Sequence, residues 1–205
     1  MTLDYEAAIL NVSLLWMLTA PHEFAHAWAA TKLGDDTPGR EGRVTLHPLA
    51  HVDWVGTVLL PGLMSLLGAG FWGWGKAVNT NPSKLRYGAR GLALVALAGP
   101  ASNLLLAFLL AAVTAAVVRV SPVYAVFPAR AVYLSLYLAA FNLVPVPPLD
   151  GSKLLLALKA PIRIYSELAR AGLLLILVLM TATPFGVWLS AGSYWGANLL
   201  VGWFR

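Results

Sequence analysis

The chain has 205 residues, of which 59% are hydrophobic and 11% charged, with a net charge of +5 and no cysteine. Soluble domains carry about 25% charged residues, so this composition excludes an ordinary water-soluble domain and predicts an integral membrane protein in a lipid bilayer. The missing cysteines exclude disulfides and thiolate zinc ligands, leaving His, Asp and Glu to hold any metal.

The first apolar run covers residues 5–31, enough to span a bilayer at about 20 residues per crossing. It opens on Asp4 and Glu6 instead of a basic region and exceeds signal-peptide length, which predicts a retained segment. Inside it lies His22-Glu23-Phe24-Ala25-His26. Residues four apart share a helix face, so His22 and His26 can offer two imidazole nitrogens to one metal ion. Glu23 projects at a nearby angle, where a carboxylate can take a proton from water at that metal. Three ionisable groups in a span are expensive without a partner, which argues against a metal-free polar patch.

Residues 34–53 are polar and turn-rich, and the alternation in Arg43-Val44-Thr45-Leu46 predicts a short strand in a β-hairpin-like insertion. His47 and His51 form a second pair four apart, which either competes for the metal or serves a structural or substrate-contacting role. Asp53 suits the N-cap of the next segment. Residues 54–74 are apolar but interrupted by Pro61-Gly62 and further glycines. If they dip in and return, the loops 32–53, 75–90 and 150–170 share one side with eleven Lys/Arg, against Arg119 and Arg130 opposite. That arrangement satisfies the positive-inside rule, places His22 and His26 in the cytoplasmic half, and accounts for the net charge without nucleic acid. Further spans are expected at 91–118, at 131–146 continued by 149–158, and at 171–188. The Trp- and Gly-rich stretch 185–204 is either interfacial or a further span. The fold class predicted is an all-α polytopic membrane protein, one domain over 1–205, with four to six membrane segments, one of them re-entrant or interfacial.

The charge bias returns the end of the 131–146 span to the depth of His22 and His26, so a third ligand is sought there. Asp150 is the candidate, in Asn142-Leu143-Val144-Pro145-Val146-Pro147-Pro148-Leu149-Asp150-Gly151. Three prolines in four residues cannot continue a helix, and unwound backbone at membrane depth is tolerated only against protein or a wet cavity. A carboxylate beside it needs a cation partner. Asp150 also suits the N-cap of a following helix, and capping need not exclude ligation. Gly99-Pro100-Ala101-Ser102 reads chiefly as a close helix-packing motif, with Asn103 either interhelical glue or a site residue.

Together, HEFAH, Ala98-Gly99-Pro100-Ala101-Ser102-Asn103 and the proline-rich run ending Asp150-Gly151 resemble the site-2 protease family of intramembrane zinc metalloproteases, over roughly residues 10–160. The stretch from Gly39-Arg40 through Asp53 and the later Phe71-Trp72-Gly73-Trp74-Gly75-Lys76 resemble its compact bacterial and archaeal members, which lack PDZ and CBS domains. Such members commonly carry Asn where His47 stands and Pro where Ala77 stands, and neither position is a family zinc ligand. The resemblance implies one Zn2+ per chain held by His22, His26 and Asp150, with Glu23 as general acid/base. It also implies hydrolysis of peptide bonds within transmembrane segments of membrane-protein substrates, in a prokaryotic cell membrane. Asn103 and Asn142 are candidates for binding the oxyanion or the substrate backbone. The unwound 145–148 segment and the strand near Val44 are candidates for holding an extended substrate. A metal transporter or sensor would need ligands repeated along a path across the bilayer, whereas these cluster at one depth. An inactive binding relative has no need of Glu23.

Overall fold

The computed structural model describes residues 5–67 and 73–205. Phe71 and Trp72, part of the family-like motif, lie outside the described residues. The long helices are α1 (Tyr5–Lys32), α4 (Ala89–Val120), α5 (Val126–Asn142), α7 (Ile162–Thr181) and α8 (Phe185–Trp203); short ones are α2 (Thr37–Arg40), α3 (Leu60–Leu66) and α6 (Ser152–Ala157). By length and composition, α4 and α7 are apolar enough to cross a membrane. The expected span at 171–188 divides differently: α7 ends at Thr181 and α8 begins after Pro184, which cannot continue a helix.

Packing centres on α1, α4, α5 and α8. Leu14, Leu15 and Leu18 of α1 meet Ala131, Leu134 and Leu138 of α5. On the other side of α5, Ala107, Ala111 and Ala115 of α4 lie against Val132 of α5 and Ala197 and Val201 of α8. Small residues at this seam let the helices approach closely, the usual means of association where lipid removes the hydrophobic drive between helices.

The described residues at the two ends of the 54–78 excursion lie side by side against α1, with Trp74 N donating to Gly56 O at 2.9 Å. Asp53 caps a π-helical turn, Trp54–Leu59, accepting from Val55 N at 3.0 Å and Gly56 N at 2.8 Å. The chain continues through α3, where Gly62 faces Val12 and Ser65 meets Asn11. It then returns past Leu15 at Gly73 and Thr19 at Gly75. Gly56 is required at the crossing, since a Cβ there would lie 2.2 Å from Trp74 Nε1.

The strand expected at Arg43–Leu46 does not form, and no strand occurs among the described residues. Arg43 N donates to Pro38 O at 2.8 Å, and the Thr45 carbonyl accepts from His51 Nε2 at 2.8 Å. The backbone groups that would pair across a hairpin are thus taken by local partners. The alternation that resembled a strand arises because the Arg43 side chain turns inward while Val44 and Leu46 face out.

Candidate metal centre

His22 and His26 lie one turn apart on α1 and are both buried. Facing them, α4 presents Gly99, where a Cβ would stand 2.3 Å from His26 Nε2 and 2.7 Å from His22 Cε1. Gly99 therefore does more than pack helices closely: it leaves the space in which the imidazoles sit. Behind them, the 143–151 turn brings Asp150 back to α1. Gly151 makes this turn possible by lying against the Leu143 carbonyl, at a distance where a Cβ would come to 2.1 Å, while its N–H donates to Asn142 O at 2.7 Å. The Asp150 side chain does not cap α6, whose N-cap residue is Gly151. It points instead at the histidines.

The result is a nearly equilateral triangle. His22 Nε2 and His26 Nε2 are 3.1 Å apart, and Asp150 Oδ2 lies 3.2 Å from the first and 3.0 Å from the second. A tetrahedral zinc with bonds of about 2.0–2.1 Å separates its ligand atoms by about 3.3 Å, so the three atoms fit one face of such a site. Hydrogen bonding supports the same reading. His26 Nδ1 lies 2.7 Å from Val95 O, which can only accept, so Nδ1 carries a proton and Nε2 is the nitrogen turned toward the Asp150 carboxylate. Two imidazole nitrogens and a carboxylate oxygen at these distances are arranged to share one cation, a proton or a metal ion. His22 Nδ1 is buried without a partner among the described residues, so only one of the two rings has an outer hydrogen bond to orient it.

Glu23 is buried beside the pair, and its Oε2 accepts from Val78 N at 3.1 Å. That bond belongs to an extended segment that continues the family-like motif ending at Lys76. Its Trp74 N donates to Gly56 O at 2.9 Å, Lys76 N to His51 O at 2.9 Å, and Val78 N to Glu23. Thr57 Oγ1 and Arg43 Nη2 donate to the Trp74 and Lys76 carbonyls. Gly75 is needed here, because a Cβ would lie 2.1 Å from Thr19 Cγ2. The segment's signal in the sequence is the motif ending Gly73-Trp74-Gly75-Lys76.

The remaining candidates separate. His51 is buried, and its Nε2 donates to Thr45 O while Nδ1 faces Arg43 Nη2 at 3.4 Å, so both ring nitrogens are engaged away from the metal cluster. Burial pushes its pKa down; the neighbouring Arg43 adds to that, and the bond to Thr45 and the charge of Glu23 partly offset it. His47 is exposed. Asn142 Nδ2 turns back to Leu138 O at 3.0 Å. Asn103 is fully buried, four residues from Gly99 on α4, and neither its Nδ2 nor its Oδ1 has a partner among the described residues.

No protein-family model matches the chain, and no solved structure matches it. Curated sequences do. The chain is 36% identical over 174 residues to the Bacillus subtilis protein named "Putative zinc metalloprotease YwhC", covering 80% of this chain and 76% of that protein. It is 33% identical over 203 residues to a Mycolicibacterium smegmatis protein, and 34% identical over 202 residues to a Mycobacterium tuberculosis protein. Both are named "Putative zinc metalloprotease Rip2", and each alignment covers 94% of this chain and 75% of the relative. The chain belongs to the site-2 protease family. At family level it is a zinc metalloprotease, and the His22–His26–Asp150 cluster is the group among its described residues placed to hold a metal.

Proposed function

We propose that this site-2 protease family member is an intramembrane zinc endopeptidase that hydrolyses peptide bonds in or near transmembrane segments of membrane proteins. The observation that carries the proposal is the buried triangle of His22 Nε2, His26 Nε2 and Asp150 Oδ2, with Glu23 beside it on α1. Zinc held by these three atoms would supply Lewis-acid chemistry, activating water and polarising the scissile carbonyl. Glu23 has Oε2 tied to Val78 N, which leaves Oε1 to take the proton and deliver it to the leaving amine. The unpaired Nδ2 of Asn103 is a donor suited to the developing oxyanion. Asn142 serves through its backbone, whose carbonyl holds the ligand turn at Gly151.

A substrate helix must unwind before its amides can be attacked, and extended backbone needs partners. Residues 74, 76 and 78 spend their N–H groups on Gly56, His51 and Glu23, so in extended geometry Gly75, Ala77 and Asn79 present theirs to the opposite edge. A substrate strand added there would run past Glu23. For the membrane, α1, α4, α5, α7 and α8 cross and 54–78 dips in and returns, with the basic loops in the cytoplasm of a bacterial cell. Topology reporters at Asp36, Asn81 and Lys159 should all report cytoplasm; an external Asp36 rejects this arrangement.

The chemical test compares wild type with Glu23→Gln on a model transmembrane substrate, with zinc measured in both. Both should bind zinc while only wild type cleaves. Equal turnover by the two would remove Glu23 from the mechanism.

A further inference from the structure

Asp150 divides its carboxylate between two kinds of partner. Oδ2 faces His22 Nε2 and His26 Nε2, while Oδ1 accepts from Lys153 Nζ at 2.8 Å. Lys153 stands in the first turn of α6, three residues on, and the turn that carries it is fixed: Lys153 N donates to Asp150 O at 3.0 Å and Ser152 Oγ to Leu149 O at 2.7 Å. The ammonium therefore reaches Oδ1 from an anchored backbone. The Asp150 side chain is 10% exposed and that of Lys153 32%, so the pair is largely shielded and its hydrogen bond charge-assisted.

A carboxylate near zinc can offer one oxygen or both. Two oxygens added to two imidazoles would fill four positions and leave none for water or a scissile carbonyl, whereas a catalytic site needs three protein ligands and an open place. An ammonium on Oδ1 competes for that second oxygen. We infer that Lys153 is a positioning residue: it holds Asp150 to one-oxygen ligation and so keeps a coordination position open for the reaction. This inference rests on the metal centre proposed above.

The alternative is a purely structural ion pair that steadies the turn. Loading wild type, Lys153→Met, Lys153→Gln and Lys153→Arg with cobalt(II) separates the two by the visible d–d spectrum, which reports coordination number. Lys153→Arg, which keeps a cationic donor, should retain the wild-type spectrum. Lys153→Met should shift and weaken the bands as the second oxygen binds, with turnover lower by roughly 10-fold to 100-fold, the usual range for removing an outer partner of a metal ligand. Lys153→Gln gives the same reading should the methionine variant fail to fold. A wild-type spectrum in whichever of these two neutral variants folds overturns the inference, whatever its turnover. Wild type that takes up no cobalt or zinc overturns the metal centre itself, a distinct failure.

Discussion

His26 Nδ1 donates to the carbonyl of Val95 at 2.7 Å, and this bond decides which nitrogen faces the Asp150 carboxylate. With Nδ1 turned to Val95, Nε2 is the nitrogen left 3.0 Å from Asp150 Oδ2, and a proton or a metal ion must lie between them. Metal removal should therefore cost folding stability as well as activity. At free zinc 100-fold above Kd, linkage gives about 2.7 kcal/mol of stabilisation. Thermal unfolding in detergent should shift upward with zinc and downward with excess chelator, and Glu23→Gln should keep that shift while losing cleavage. His26→Ala should lose the shift.

Gly99 sets the space for both rings, so Gly99→Ala should displace them. A Cβ 2.3 Å from His26 Nε2 leaves α1 and α4 no choice but to part or the ring to turn. Zinc affinity should fall at least about 10-fold, by the cost typical of disturbing a ligand's support. Gly192 on α8 has nothing within 4 Å of its virtual Cβ, so Gly192→Ala is the matched control and should leave zinc binding unchanged. Chelator competition on the purified variants measures both. Equal affinities would show that the helices absorb the methyl group.

The cluster of His22, His26 and Asp150 was legible in the sequence from a four-residue spacing on one helix and a proline-broken return that ends in a carboxylate. The Lys and Arg counts that led to a returning 54–74 segment concern the two sides of a membrane, which intramolecular packing does not report. Arg43-Val44-Thr45-Leu46 was misleading because its period of two has another cause, an arginine drawn inward to the Lys76 carbonyl. Residues 71–76 stood out in the sequence as a family-like motif, but the hydrogen bonding of the 73–78 segment was not legible. Its backbone is satisfied by Gly56, His51, Thr57, Arg43 and Glu23, partners far apart in sequence, and no local pattern encodes such a set.

His51 links that segment to pH. Burial and Arg43 hold its pKa below the ordinary 6.5, so the unfolded chain takes up the proton first as pH falls. Its contribution to stability is complete above about 6.5 and is lost as pH drops through the lower folded value. The gap in thermal stability between wild type and His51→Gln should thus narrow from pH 7.5 to pH 5.5. A gap that stays constant or widens would contradict the buried neutral imidazole.

Lys153 is one way the ligand turn is held, and Gly172 of α7 is another. A Cβ on Gly172 would lie 1.8 Å from the Pro147 carbonyl, three residues before Asp150. Gly172→Ala should push α7 away from the turn or shift the turn itself, lowering zinc affinity in the second case. Measuring zinc affinity and protease sensitivity of the loop 158–161 distinguishes the outcomes. If neither changes, α7 does not steady the site.

At the far end of the excursion, Asn11 joins three elements. Its Nδ2 donates to Ser65 Oγ of α3 at 3.0 Å, and its Oδ1 accepts from Arg130 Nε and Nη2 of α5 at 3.3 and 3.2 Å. Arg130 also lies over the Tyr133 ring, 5.2 Å from its centroid, which keeps the guanidinium in place. Interhelical hydrogen bonds in membrane proteins average about 0.6 kcal/mol and reach about 1.7, because partners are also found when the native pair is broken. A double-mutant cycle of Asn11→Ala with Ser65→Ala should give a coupling in that range, read by unfolding in detergent. The consequence for function follows from the path of the chain: the excursion that Asn11 anchors leads back to Val78, which donates to Glu23. Asn11→Ala should therefore lower turnover while leaving zinc content unchanged, since the excursion supplies a partner for Glu23 and none of the three metal ligands. Parallel loss of zinc would instead place Asn11 in the general stability of α1.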